Sequence, residues 1–274
     1  MGAIVIVAVS ASAAPNGRPP TSASNRAAAA SDAKTLLSQL ILPAGSVQLA
    51  AKPSWDHWPS DHCPCPATPN VEDAHGWWQV PDDVDSVIAF VKAHTPEGST
   101  LVSGGPDVMF RWPPEPGVLS TRWLEVEANT LPDGSTAVRA DGESVWTVPR
   151  PASERVPPAG RVQLTVTHGE RVLQGPIEIR SHRRVAKIRA LLNSLPAAQP
   201  GVYSCPGDPG VRIILEFFGR RIDATPTAKA IVSDGGCGFV GLVLRGHREP
   251  DLGGSGVDVV RPLLSIIGRH LKTR

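Results

Sequence analysis

Residues 56–65 read DHWPSDHCPC and bring six ligand-capable side chains into ten positions: Asp56, His57, Asp61, His62, Cys63 and Cys65. Zinc takes four ligands from thiolates and imidazoles. Cys63 and Cys65 with His57, His62 or His75 could therefore make a zinc site, which would be the chain's one cofactor. Two other chemistries use the same cysteines. One is a local disulfide across a single residue, a strained and readily reduced bridge. The other is a redox pair, although redox pairs usually take C-x-x-C spacing at a helix N-terminus, and Pro64 and Pro66 oppose a helix here. The same stretch is read with no cofactor if the bridge is purely structural.

The other two cysteines, Cys205 in YSCPGDPG and Cys237 in DGGCGF, flank apolar runs that read as neighbouring strands. An even cysteine count in an exported chain is first read as disulfides. Joining Cys205 to Cys237 would close a loop of about 32 residues, a constraint on the order of 3 kcal/mol.

Trp55, Trp58, Trp77 and Trp78 crowd the segment around the cysteines, while tyrosine occurs once in the chain. Exposed indoles would stack on sugar rings and bind cell-wall glycan. Buried indoles would instead supply the core of a loop-rich lobe. Further on, His182, Arg183, Arg184, Lys187 and Arg189 fall on one helical segment, an anion-binding face or a solvated one. No nucleophile elbow, phosphate-binding P-loop, H-E-x-x-H or dinucleotide glycine pattern occurs. His168 and His247 sit beside glycines near strand ends with no partner motif, so no catalytic residue is assigned.

The elements that would position these groups read as α+β. A helix is expected over 31–42, capped by Ser31 or Asp32 and stopped by Pro43. An irregular Pro- and Trp-rich stretch should follow over 43–80. The periodicity of Val84, Val87, Ile88 and Val91 predicts a helix over 82–94. A hairpin follows, WLEVEANTL with the turn PDGS and TAVRA, then a further strand ESVWTV over 143–148. A Pro-rich connector spans 149–160. Beyond it come a strand over 161–168, a helix over 181–195, apolar strands over 211–218 and 237–244, and a last helix over 258–270 capped by Asp258. The expected architecture is antiparallel sheet with about four packed helices, divided into an N-terminal lobe (31–150) and a C-terminal lobe (160–274).

Composition narrows the function classes. The 274 residues carry a net charge of +1, with 41% hydrophobic and 19% charged residues. A chain without basic excess is not a dedicated nucleic-acid binder. The apolar residues 3–9 and the A-x-A match at Ala11-Ser12-Ala13 read as a secretory signal over 1–13, although no Lys or Arg precedes them. Residues 14–30 then read as a flexible tether. No apolar run reaches the roughly 20 residues of a transmembrane helix.

The phrases TAVRADGESVWTVPRPASERVP (136–157) and LLNSLPAAQPGVYSCPGDPGVRIILEF (191–217), with Gly236-Cys237, LPAGS (42–46) and WWQVPDD (77–83), resemble a group of exported actinobacterial proteins of unknown function. The resemblance implies export and supports the pairing of Cys205 with Cys237. It carries no activity, and the HCPC stretch and the tryptophan-rich opening depart from its pattern. The sequence thus points to a secreted or wall-associated binding or structural protein, whose partner would be cell-wall glycan or another surface protein. The alternatives are a zinc protein or an enzyme whose site only the fold assembles.

Overall fold

The computed structural model describes residues 21–51, 68–102, 107–201, 207–208, 210–219, 225–253 and 259–268. These residues form four α-helices and two six-stranded antiparallel sheets, an α+β protein. The chain divides into two compact units between Val148 and Pro149.

In the first unit, helix α1 (Ser22–Ser38) begins well before the expected start, inside the stretch read as a tether. The reason is local. Thr21 and Ser24 form a reciprocal cap, with Thr21 Oγ1 accepting from the Ser24 N–H (3.1 Å) and Ser24 Oγ from the Thr21 N–H (2.8 Å). The alanines at 27–30 then continue the helix, alanine being the best helix former. Asp32 is therefore no cap. It sits mid-helix and accepts from Arg122 Nε (2.9 Å) and Nη2 (2.5 Å) and from Ser144 Oγ (2.5 Å). This pairing, opposed by burial, holds the Arg122 guanidinium above its ordinary range.

Two strands occupy the stretch expected to be irregular, β1 (Val47–Leu49) and β2 (Val71–Val80). Helix α2 (Val84–Ala93) follows, capped by Asp83, which accepts from the Ser86 N–H at 3.0 Å. Short β3 (Thr100–Leu101) and β4 (Val108–Arg111) lead into β5 (Leu119–Thr130) and β6 (Thr136–Trp146). The PDGS turn joins β5 to β6 as predicted. TAVRA and ESVWTV, read as two strands, are one, because pairing with β5 and β2 runs unbroken through Gly142. The sheet order is β1-β2-β6-β5-β4-β3.

Side chains alternate across this sheet. One face (Val80, Trp78, Val138, Ala140, Leu124, Val126, Phe110) packs with Leu36 of α1 and with Val87 and Val91 of α2. Helix α1 approaches β6 closely at Gly142, where a β-carbon would fall 2.3 Å from the Ala33 carbonyl oxygen.

The second unit pairs β7 (Arg161–His168) with β8 (Arg171–Ile179), follows with α3 (His182–Ser194), and then runs a meander. The meander comprises β9 (Val211–Phe218), β10 (Ala228–Ser233), β11 (Val240–Leu244) and β12 (His247–Arg248), and the sheet order is β12-β11-β10-β9-β7-β8. Helix α4 (Val260–Ile267) closes the unit. Ile213, Leu215 and Phe217 of β9, with Ala230 and Leu242, form a single core with Val185, Ile188 and Leu192 of α3 and Leu263 of α4. Arg150 secures the end of α3 by donating from Nη1 to the Leu192 and Leu195 carbonyls at 2.9 Å each. The two apolar runs read as adjacent strands are separated by β10, whose short AKAIVS sequence gave no strong signal. Helix α4 starts without a side-chain cap, with Val259 at the cap position, and Asp258 lies outside the described residues.

Candidate functional site

Alternation along β2 sends the two consecutive tryptophans to opposite faces of the first sheet. Trp77 faces away from the helices, beside Leu49, Leu131 and Ala137. Trp78 lies on the helix side, at the margin of the core beneath the end of α1. Its six-membered ring folds back along the strand over Gly76. A β-carbon on Gly76 would fall 2.5 Å from Trp78 Cη2 and 2.9 Å from Cζ3. Gly76 thus has a specific role, since any side chain there would occupy the space of the indole.

Trp78 borders a groove of about 470 Å³ between the end of α1, the following loop and β1. Leu37, Leu40 and Leu42 give the groove an apolar wall. Lys34, Ser38, Ser46 and Gln48 rim it. The serine hydroxyls are anchored, Ser38 to the Thr35 carbonyl (2.7 Å) and Ser46 to the Pro43 carbonyl (2.6 Å). The Lys34 ammonium, the Gln48 amide and the Trp78 indole N–H make no side-chain bond among the described residues. An aromatic and aliphatic floor with a few polar groups at its edge can hold a small organic ring and orient its hydroxyls.

The opposite face of the same sheet is polar. Cross-strand register sets His75 opposite Asp141, Asp73 opposite Glu143, and Trp77 opposite Arg139. Asp141 accepts from Arg139 Nη2 at 2.7 Å and from Nε at 2.9 Å, in a pair almost wholly buried. Burial works against the Arg139 charge, and Asp141, together with Glu127 and Asp73, more than offsets it, so the guanidinium stays above its ordinary range. Glu143 accepts a short hydrogen bond from Trp123 Nε1. His75 Nδ1 lies 2.6 Å from Asp73 Oδ2, and its ring meets Trp77 edge-on with centroids 4.8 Å apart.

Ligand atoms of Asp73, His75 and Asp141 lie within 4.8 Å of one another. Their donor set suits a divalent cation poorly. Both Asp141 oxygens already lie in the guanidinium fork of Arg139, which neutralises the carboxylate and places a fixed positive charge beside any ion. Of the expected zinc ligands, only His75 is among the described residues. His57, His62, Cys63 and Cys65 lie outside them, as do Trp55, Trp58 and Cys205.

Cys237 is buried at 7% exposure. Sequence reasoning missed the Trp78 groove because its apolar wall comes from the α1 end and the loop after it, and the strand β1 that borders it lies in the stretch expected to be irregular. The one available signal was the spacing of Gly76 and Trp78 on a strand. Among the described residues no helix is long and apolar enough to cross a membrane. No family model matches the chain, no curated protein matches it, and no solved structure matches it.

Proposed function

We propose that this chain is an exported binding protein and that the groove at Trp78 takes a sugar ring of a cell-wall glycan. The observation that carries the reading is the indole of Trp78, set over Gly76 beside a groove whose rim presents an amide and an ammonium that are unengaged among the described residues. Pyranose rings have apolar C–H faces and hydroxyl edges, and this surface complements both. The reading is non-catalytic: the groove lining carries no carboxylate, imidazole or thiol, and both of its serine hydroxyls are committed to backbone carbonyls.

The experiment is retention on insoluble cell-wall polysaccharide at low salt, comparing the native chain with Trp78→Ala and Gln48→Ala. Gln48 is exposed, so its replacement leaves the fold intact. Retention of the native chain and loss in both variants supports the reading. Equal retention of all three sinks it.

A second reading, zinc binding, would draw on His75 alone from the Asp73–His75–Asp141 grouping, since Arg139 already holds Asp141. It would require His75 to act with the thiolates of Cys63 and Cys65. Zinc-dependent protection of those thiols from alkylation would support it.

A further inference from the structure

The second unit carries a charge distribution that the glycan reading leaves unused. Helix α3 bears His182, Arg183, Arg184, Lys187 and Arg189 and no acidic residue, and α4 bears none either. Such a run has no i, i+4 ion pairs to steady it, and its like charges repel. Three of these cations open onto one cleft of about 340 Å³ between the helices. Its lining is Arg183, Arg184 and Lys187 from α3 with Ser265 and Ile266 from α4.

Arg184 reaches across the cleft. Its Nη2 would lie 3.9 Å from a β-carbon placed on Gly268, the residue that ends α4 in a left-handed conformation. That seats one cation near the negative end of the α4 dipole. Arg183 and Lys187 have no such compensation, and among the described residues none of the three has a carboxylate in salt-bridge reach. The cleft therefore holds concentrated positive charge in a concave, half-enclosed space, beside one hydroxyl and one apolar side chain.

We propose that this cleft binds a phosphate monoester of a small organic alcohol. The phosphoryl oxygens accept from Arg183, Arg184 and Lys187, Ser265 offers a further hydroxyl, and the organic part lies against Ile266. Guanidinium and ammonium donors to a dianion give the strongest hydrogen bonds available to side chains, and the guanidinium fork matches phosphate geometry. Concavity favours a discrete group over a flat anionic surface, because the cations line a recess rather than project from one plane.

The test is an amide and side-chain NMR titration of the full chain with glycerol 3-phosphate at low ionic strength. Saturable shifts confined to α3 and the α4 end are expected. The double variant Arg183→Ala/Lys187→Ala changes two exposed side chains, so the fold is kept, and it should weaken binding by about tenfold or more. Inorganic phosphate should displace the ester, and chloride at equal ionic strength should not. Absence of saturable shifts, equal affinity in the variant, or equal displacement by chloride would overturn the proposal. Binding to phosphatidylglycerol vesicles without any response to glycerol 3-phosphate would overturn it too, in favour of surface attraction to anionic lipid.

Discussion

The indole of Trp78 occupies the space that a side chain on Gly76 would fill, two residues earlier on the same face of β2. The glycine and the tryptophan therefore act as a unit. Replacing Gly76 with alanine should push the ring off the strand and into the groove while leaving the sheet register intact. We expect glycan affinity to fall about tenfold, a loss of roughly 1.4 kcal/mol, with an unchanged far-ultraviolet circular dichroism spectrum. Undiminished affinity would mean the ring position does not matter to binding.

A second glycine sets the seat of α1. At Gly142 a β-carbon would lie 2.3 Å from the Ala33 carbonyl oxygen and 2.8 Å from the Leu37 nitrogen, both backbone atoms that cannot swing away. Gly142→Ala should destabilise the first unit by about 1–3 kcal/mol, the usual cost of overpacking. Urea denaturation of the variant measures it through a lowered midpoint.

The buried pair Arg139–Asp141 makes a further prediction. Removing one partner leaves the other charged and dry, so Asp141→Asn should cost about 3–5 kcal/mol. Replacing both, as Arg139→Met with Asp141→Leu, should recover most of that loss, since well-packed apolar residues often substitute for a buried ion pair. Thermal melts of the single and double variants decide this. A double variant no better than the single would show that the Arg139 network reaches beyond this pair.

Acid should loosen the molecule through particular carboxylates. The Asp83 carboxyl is held below its ordinary 3.8 by hydrogen bonds from the Ser86 N–H and hydroxyl. The Asp208 carboxyl is held low by Arg212, and Glu178 by Arg180 and then Arg161. A depressed folded-state pKa stabilises above the unfolded value, and that stability is lost as pH falls through the folded value. Melting temperature should therefore fall with acidification through the carboxylate range. In Asp83→Asn the fall should be shallower, because the titrating cap is gone.

We propose that Cys237 is bridged to Cys205. Alkylation without reductant, followed by peptide mapping, should leave Cys237 unmodified and recover a peptide joining residues 205 and 237. Recovery of Cys237 joined to Cys63 or Cys65 would overturn that pairing and redirect the reading of the HCPC stretch.

Much of the architecture is legible in the sequence where one local signal dominates. Helix α2 is announced by Asp83 and by the spacing of Val84, Val87, Ile88 and Val91, and the hairpin by the PDGS turn. Helix α1 is misread because alanine-rich, polar sequence resembles a linker. Its buried side rests on small residues, Asn25, Ala29 and Ala33, which carry little hydropathy. Strand β2 is hidden by Asp73 and His75 on its polar outward face, and by Glu72, which pairs with Arg26 of α1 on the helix side. The groove at Trp78 is half legible, since the tryptophan stands out in the sequence but its face, its glycine and its apolar wall emerge only from the fold. The α3 cations were plain in sequence, and only the packing of α4 against α3 turns them into a cleft.

The most direct test of the central claim is a titration of the Trp78 indole N–H signal with the β-linked tetrasaccharide of N-acetylglucosamine, its resonance assigned by its loss in Trp78→Ala. We predict a saturable shift of that signal, accompanied by the Gln48 side-chain amide, with the Trp77 indole unmoved on the opposite face. A Trp78 signal that stays fixed at saturating sugar, or one that moves no more than Trp77, would contradict the account.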